Sequence, residues 1–163
     1  MAALLAAAGA QVRAEFEALP DTVAAFHPAP GEWCPRECLG HMIEAERRGF
    51  GGRIQRILAA PGQPEVPWDQ QEVQRQRGDC TRPTSELLAE FTEMREHNVA
   101  LVRTLRPGQF DLACVHGKVG RLTIADLLHE WPFHDRNHFR QVQAAVQAYL
   151  WPSMRAAQGF VGE

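Results

Sequence analysis

The chain has 163 residues, of which 45% are hydrophobic and 23% are charged, and this size and composition predict one globular domain with a buried core. Its formal net charge of -3 argues against nucleic acid and against an anionic membrane surface as partners, because neither attracts a slightly acidic protein. No apolar run approaches the roughly 18 residues of a membrane span, so we expect a single domain over residues 1–163 that does not enter a membrane.

The N-terminal segment is rich in alanine and predicts the first helix. Apolar side chains recur every three or four positions from Leu5 to Leu19, and Pro20 ends the pattern. The apolar run has no basic residue ahead of it and turns polar at Gln11, which indicates a helix of the domain and not a signal peptide. Without an export signal, a disulfide framework is not expected in a chain of this length. We therefore expect a cytoplasmic protein with four reduced cysteines, Cys34, Cys38, Cys80 and Cys114.

The second helix is predicted from about Pro35 to Ala59. Proline suits the first helical position, and Glu37 at the third can reach back to free N–H groups. Cys34 takes the cap position, where serine or threonine would stabilise the helix more. The apolar arc of this helix is wider than one neighbour requires and its glycines permit close approach, which predicts a homodimer through this face. The residues concerned are Cys38, Met42, Ile43, Phe50 and Ile54, with Gly49, Gly51 and Gly52.

A long crossover and the third helix follow. The stretch from Pro61 to Arg82 contains three prolines in its first half and is expected to be a loop. The third helix is predicted from about Pro83 to Leu105, with apolar spacings of four and three that are typical of a bundle seam. The segment from residue 110 to residue 122 is expected to hold either a short hairpin or an ordered loop.

The fourth helix begins after Thr123, which forms a capping-box pattern with Asp126, and runs to about Leu150. The last dozen residues are expected to form a loosely packed tail. No alternation of polar and apolar residues is long enough to predict a sheet, so the pattern as a whole predicts an all-α fold.

Two histidines, His134 and His138, lie within the apolar arc of the fourth helix. Residues four apart stand one above the other on a helix, so both rings can bind one ion at about 2.0–2.1 Å. The alternative is that each is a core histidine hydrogen-bonded to its own buried neighbour. Pro132 removes a backbone hydrogen bond one turn earlier and predicts a kink or bulge, which either directs His134 or is merely tolerated.

A third ligand must come from another element, and His41 in the second helix is the best candidate. Small residues flank it and allow a neighbouring helix to approach, but periodicity places it at the edge of the apolar arc, where a boundary histidine is an equally good interpretation. The remaining histidines are most simply solvated or boundary side chains, namely His27, His97, His116 and His129. A thiolate zinc site is a further alternative, formed by Cys34 and Cys38 with Cys114 and His116, although this spacing is not that of a short zinc knuckle.

Two segments, GEWCPRECLGHMIEAERR and LTIADLLHEWPFHDRNHFRQV, resemble the DinB-like superfamily of damage-inducible proteins. That family has a W-[ST]-x-x-E-x-x-x-H segment at the start of the second helix and an H-x-x-x-H pair in the fourth, and the resemblance covers about residues 4–150. It implies an up-down-down-up four-helix bundle with a long crossover between helices two and three. It also implies one divalent metal ion, zinc or nickel, held by His41, His134 and His138. The chain departs from the family pattern at Cys34 and Pro132.

Three neutral histidines leave a coordination position for another ligand, which is typical of a reactive metal site. The resemblance implies a metal-dependent enzyme that acts on a small molecule with a low-molecular-weight thiol, as a transferase or isomerase, or a metal-dependent hydrolase. The alternatives are a non-catalytic metal-binding stress-response protein and a metal-free interaction bundle. No catalytic residue is identified, since Glu37 and Glu44 are most simply surface carboxylates. We expect the crossover, with Trp68, to line the mouth of the site.

Overall fold

Four helical segments form a bundle in residues 1–161, the part of the chain that this computed structural model describes. The helices are α1 (Ala2–Ala18), α2 (Asp21–Ala24), α3 (Pro35–Glu44), α4 (Gly51–Ala59), α5 (Gln70–Arg77), α6 (Thr84–Thr104) and α7 (Ile124–Leu150). The strands are β1 (Ala113–His116) and β2 (Gly120–Thr123), and the 3-10 turns are Asp79–Thr81, Pro107–Gln109 and Trp151–Phe160. A π-helical turn, Ala45–Gly49, joins α3 to α4, so that these two helices together form the second bundle helix.

The bundle core lies where α1 and α3 each pack against α6 and α7. One apolar cluster surrounds Trp131 and includes Phe50, and the other surrounds Phe91 and includes Phe16 and Leu39. Removal of these side chains from water is the main free-energy contribution that favours the bundle. The predicted all-α four-helix bundle is confirmed. Among the helices of residues 1–161, none is long and apolar enough to cross a membrane.

The π-helical turn interrupts a helix that the sequence predicts to be regular from residue 35 to residue 59. The Phe50 N–H donates to the Ala45 carbonyl, five residues back, at 2.8 Å. One extra residue in this turn rotates the following side chains relative to α3, and turns of this kind occur frequently at functional sites. Glu46, within this turn, is completely buried.

The crossover is not a loop throughout, which corrects the prediction for residues 61–82. It contains α5, whose sequence QQEVQRQR has no apolar face. Asp69 caps the helix by accepting hydrogen bonds from the N–H groups of Gln71 at 2.9 Å and Glu72 at 3.0 Å. Gly78 ends it with a φ of 59°, a left-handed conformation that glycine adopts without strain.

Residues 113–123 form the hairpin that was one of the two expected structures. β1 and β2 are antiparallel, with Ala113 opposite Thr123 and His116 opposite Gly120. The first part of the crossover lies along β1, because the Glu65 N–H donates to the Val115 carbonyl at 2.8 Å. The expectation that the chain forms no sheet is therefore wrong, because β1 and β2 form a two-stranded sheet. This hairpin holds the crossover against the bundle.

The helix-two surface that suggested a homodimer is covered within one chain. Its apolar residues are each at most 4% exposed, namely Cys38, Met42, Ile43, Phe50 and Ile54. Gly51 faces the Asn98 side chain of α6, so its lack of a Cβ permits packing inside the bundle and not between subunits. This face cannot form the interface, and the homodimer itself stays a prediction.

The fourth bundle helix, α7, continues through Pro132 as one helix. Pro132 is buried, and its carbonyl accepts a hydrogen bond from Arg136 at 2.8 Å. After α7, no side chain between Trp151 and Phe160 is buried, as expected of a loosely packed tail. The tail prediction also covers Gly162 and Glu163, which lie outside the described residues.

Candidate metal centre

Three imidazoles from two bundle helices converge on one point. His41 lies in the second turn of α3, and His134 and His138 are one turn apart near the middle of α7. The Nε2 atoms of His41 and His134 are 3.1 Å apart, and one nitrogen from each of the three rings lies within 4.8 Å of the other two. Two nitrogens bound tetrahedrally to one ion at about 2.0–2.1 Å are roughly 3.3 Å apart, so this spacing fits a shared ion.

The outer nitrogens of the two α7 histidines have different surroundings. His138 Nδ1 lies 2.7 Å from Oε1 of Gln141, which can only accept, so Nδ1 carries the proton and Nε2 keeps its lone pair. His134 Nδ1 is buried and has no hydrogen-bond partner within residues 1–161. The alternative in which each ring has its own protein partner therefore holds for His138 only, because His134 is hydrogen-bonded to nothing except another imidazole.

All three rings are neutral near pH 7. Burial, together with the nearby His138, lowers the pKa of His41 to about 3 and that of His134 to about 2. Burial also lowers the pKa of His138 itself. Neutral imidazoles retain the lone pair that a metal ion requires, whereas protonated rings would repel the ion and each other.

Aromatic side chains surround the three histidines. The centre of the Trp33 ring is 5.1 Å from that of His41, and the Phe50 ring meets His134 edge-on at 5.1 Å. Trp68, from the crossover, stacks near His41 with ring centres 6.3 Å apart. The prediction that the crossover lines the site is thus confirmed, while its role in selecting a ligand stays a prediction.

An open cavity of about 510 Å³ borders His41 and His134. Arg53, Lys118 and Glu130 line it together with Trp68. Arg53 is paired with Glu65, whose Oε2 also lies 2.8 Å from His116 Nε2. The Glu130 carboxylate, by contrast, takes part in no ion pair within residues 1–161, so it is available to a ligand.

The sequence did not single out these cavity residues. Glu130 lies four residues before His134 on α7, and that helical spacing could have identified it. Arg53 follows His41 in the second bundle helix after three spacings of four, and this periodicity could have identified it too. Lys118 lies in the turn of the hairpin, and no local pattern predicts its placement.

A family model described as the DinB superfamily matches residues 4–142. The chain belongs to the DinB superfamily. Among solved structures, YfiT from Bacillus subtilis superposes with a TM-score of 0.81 over 90% of this chain and 83% of that one, at 20% sequence identity. YfiT is described as a probable metal-dependent hydrolase with an unusual four-helix bundle topology. At this identity the likeness shows a shared fold, and a comparison with curated proteins finds no match.

Two acidic residues near His41 in this DinB-superfamily protein are already engaged. Glu44 is buried and not a surface carboxylate as expected, since it accepts hydrogen bonds from Arg48 at 2.6 Å and Arg77 at 2.7 Å. Glu37 accepts the Cys34 N–H at 2.9 Å and so stabilises the start of α3. These carboxylates are committed to structure, which agrees with leaving them out of the catalytic residues.

The alternative thiolate zinc site is not assembled. Cys38 and Cys114 lie in different core clusters, and the four residues Cys34, Cys38, Cys114 and His116 do not converge within the described chain. Helix periodicity could not reveal this, because β1 places Cys114 on the far side of the bundle core from α3. His97 and His129 are exposed, as expected.

Proposed function

We propose that this protein is a metal-dependent enzyme that holds one zinc or nickel ion at His41, His134 and His138 and acts on a small molecule. The convergence of three neutral imidazoles beside an open cavity supports the proposal. An ion held in this way lowers the pKa of a bound water or thiol toward neutrality and so supplies a nucleophile. Imidazole ligands favour zinc and nickel over magnesium and calcium, which prefer oxygen.

The surrounding residues have separate tasks in this proposal. Gln141 fixes the tautomer of His138 so that Nε2 faces the ion. Trp68 and Phe50 exclude water from one side of the centre. Lys118 attracts an anionic group of the substrate, and Glu130 accepts a proton from the nucleophile.

Water and a low-molecular-weight thiol are the two candidate nucleophiles. The description of YfiT, a structural neighbour, supports water and hence hydrolysis. The positively charged side chain of Lys118 favours a thiol compound that carries carboxylates, which would be abundant and reduced in the cytoplasm. A non-catalytic metal-binding protein would need neither a cavity of this size nor a free carboxylate on its wall.

The test is a paired assay on zinc-loaded and nickel-loaded protein. Hydrolysis of chromogenic esters and amides measures the first reaction, and loss of free thiol in the presence of an aromatic electrophile measures the second. His134→Ala should abolish turnover and lower the bound metal by one equivalent per chain. The matched control, His129→Ala, removes an exposed imidazole from the same helix and should change neither. An active His134→Ala variant would exclude the proposal.

Glu130→Gln separates catalysis from metal binding. The variant should keep a full equivalent of metal and lose about 10²–10⁴-fold in kcat, because a positioned proton acceptor contributes a factor of this size. Glu93→Gln, on the exposed side of α6, is the control. Unchanged kcat in Glu130→Gln would show that Glu130 takes no proton.

A further inference from the structure

A second group of metal-ligating side chains lies outside the three-histidine centre. His27, Cys34 and Cys80 each place one ligand atom within 4.8 Å of the other two. The three residues come from separate segments: the loop after α2, the cap of α3 and the 3-10 turn after α5. Their convergence is therefore a property of the folded chain and not of local sequence.

The histidine of this group is oriented as a ligand. His27 Nδ1 lies 2.8 Å from the Glu32 carbonyl oxygen, which can only accept, so Nδ1 carries the proton. Its Nε2 lone pair then points to Cys80, whose Sγ is 3.3 Å away. A backbone carbonyl that fixes the outer nitrogen of an imidazole is the usual arrangement for a metal-ligating histidine.

The two thiols are placed where an ion would ionise them. Cys34 is completely buried at the cap of α3, where the N-terminal end of a helix stabilises a thiolate. Burial, followed by the nearby Cys80 thiol, raises the pKa of Cys34 far above its usual value. Two adjacent thiols that stay protonated form only weak hydrogen bonds, whereas a divalent ion displaces both protons and binds both sulfurs.

Cys80 is held in position by its backbone as well as by His27. Arg36 donates to the Cys80 carbonyl at 3.2 Å and to Thr84 Oγ1 at 2.9 Å, so the turn after α5 is fixed against the start of α3. Cys80 is half-buried, which leaves an access route for an ion. The site would thus join the end of the crossover to the second bundle helix.

We propose that His27, Cys34 and Cys80 bind a zinc ion, independently of the three-histidine centre. Two thiolates and one imidazole bind zinc in preference to magnesium and calcium, and water completes the coordination. This proposal can fail or succeed independently of the proposed enzymatic function, because none of its three ligands lines the cavity and its test is run with the three-histidine centre removed.

Cobalt absorption isolates this site. In a His134→Ala/His138→Ala background kept reduced with a phosphine, Co²⁺ should bind at one equivalent and give the thiolate-to-cobalt charge-transfer absorption that histidine sites lack. Zinc should displace it stoichiometrically. Cys80→Ser, at a half-buried turn position, should remove most of the absorption and weaken zinc binding by more than the 10–100-fold typical of losing an outer hydrogen-bond partner.

Two controls keep the result interpretable. Cys38→Ala removes the other thiol of α3, four residues from Cys34, and should leave the absorption unchanged. His27→Ala, in an exposed loop, should weaken binding without affecting the fold. Absence of the charge-transfer band in the background protein, its persistence in Cys80→Ser, or a Cys34–Cys80 disulfide that survives the phosphine would each overturn the proposal.

Discussion

The bundle buries two polar clusters, one around Arg95 and the other the three-histidine centre. They differ in whether the protein alone supplies all of their hydrogen-bond partners. Arg95 on α6 is 4% exposed, and all of its N–H groups are used: it donates to Glu46, Asp135 and the Leu5 carbonyl. The three-histidine centre, which adjoins Asp135 on α7, directs one ring nitrogen of each histidine at the other two and leaves His134 Nδ1 without a partner in residues 1–161.

The difference separates a structural role from a binding role. Buried polar groups are nearly always hydrogen-bonded, so a cluster that completes its own bonds needs nothing from outside. The Arg95 cluster also includes Asn98 and Trp131, which donate to Glu46 at 2.8 Å and 2.9 Å. A cluster whose ring nitrogens lack protein partners is suited to bind a further group, and a metal ion is a group that neutral imidazoles bind well.

Removal of Arg95 should produce the largest loss of stability. Arg95→Met leaves Glu46 and Asp135 buried without a compensating charge, and breaking a buried ion pair in this way costs about 3–5 kcal/mol. Urea denaturation followed by circular dichroism measures the change. Arg103→Met, at an exposed position of the same helix, should stay within about 0.5 kcal/mol of wild type. If Arg95→Met and Arg103→Met lowered the unfolding free energy equally, the Arg95 cluster would not have the structural role assigned to it.

His134→Ala should leave the fold intact and abolish stabilisation by metal. Wild type at free zinc of about 100 times its dissociation constant gains about 2.7 kcal/mol from binding, and a chelator removes that gain. The variant should melt at the same temperature with and without chelator, because the packing of α1 against α6 does not involve this ring. His129→Ala should respond to the chelator as wild type does. The measurement is made in a Cys80→Ser background, so that the His27, Cys34 and Cys80 site cannot respond to the chelator. If the melting temperature of His134→Ala still fell with chelator in that background, the three-histidine centre would not be the source of the metal stabilisation.

Gly51→Ala tests how closely the second bundle helix must approach the Arg95 cluster. A Cβ at Gly51 would overlap the Asn98 side chain, whose amide bonds Glu46. We expect a loss of about 1–3 kcal/mol, the usual effect of overpacking a core. Gly108→Ala is the matched control, because a Cβ there meets nothing within 4 Å. Thermal melting of both variants is the measurement. If Gly51→Ala melted at the same temperature as Gly108→Ala, the contact between Gly51 and Asn98 would not limit the packing.

The sequence contains enough information for the bundle helices, because apolar spacing together with proline and capping signals gives the bounds of α1, α6 and α7 to within about three residues. It also gives His134 and His138, whose spacing of four is a property of one helix. His41 is different: its periodicity is ambiguous, and only the resemblance to a family assigned it. Contacts between helices decide its role, and one helix pattern does not contain them.

The remaining features depend on tertiary structure. Glu46 and Arg95 are charged residues, a type that is normally assigned to solvent, and each is buried only because the other is present. The π-helical turn shifts the register after residue 45, so a rotation of 100° per residue fails beyond it. Helix α5 has no apolar face, and a cap together with ion pairs of Arg77 to Glu44 and Asp79 stabilises it.

A third polar network joins Glu90 to Arg47, Arg77 and Arg82 at the surface. It can be compared with the buried Arg95 cluster, because water competes for its charges. Burial alone would raise the pKa of Glu90, but hydrogen bonds from Arg77 and Arg47 outweigh it and lower the pKa to about 2. Glu90 is partly exposed, so its ion pairs should contribute no more than about 1 kcal/mol. Glu90→Gln should therefore destabilise the protein far less than Arg95→Met.

The pH dependence of the Glu90→Gln effect identifies its origin. The folded chain lowers this pKa from its usual 4.5, so as the pH falls the unfolded chain takes up the proton first. The contribution of Glu90 is thus fully present above 4.5 and is lost as the pH falls toward 2. The difference in unfolding free energy between wild type and Glu90→Gln should narrow between about pH 7 and about pH 3. Glu93→Gln, which removes an exposed carboxylate from the same helix, should show no such narrowing. A difference independent of pH would mean that Glu90 acts through packing, and the crossover would then be held to the bundle without the help of charge.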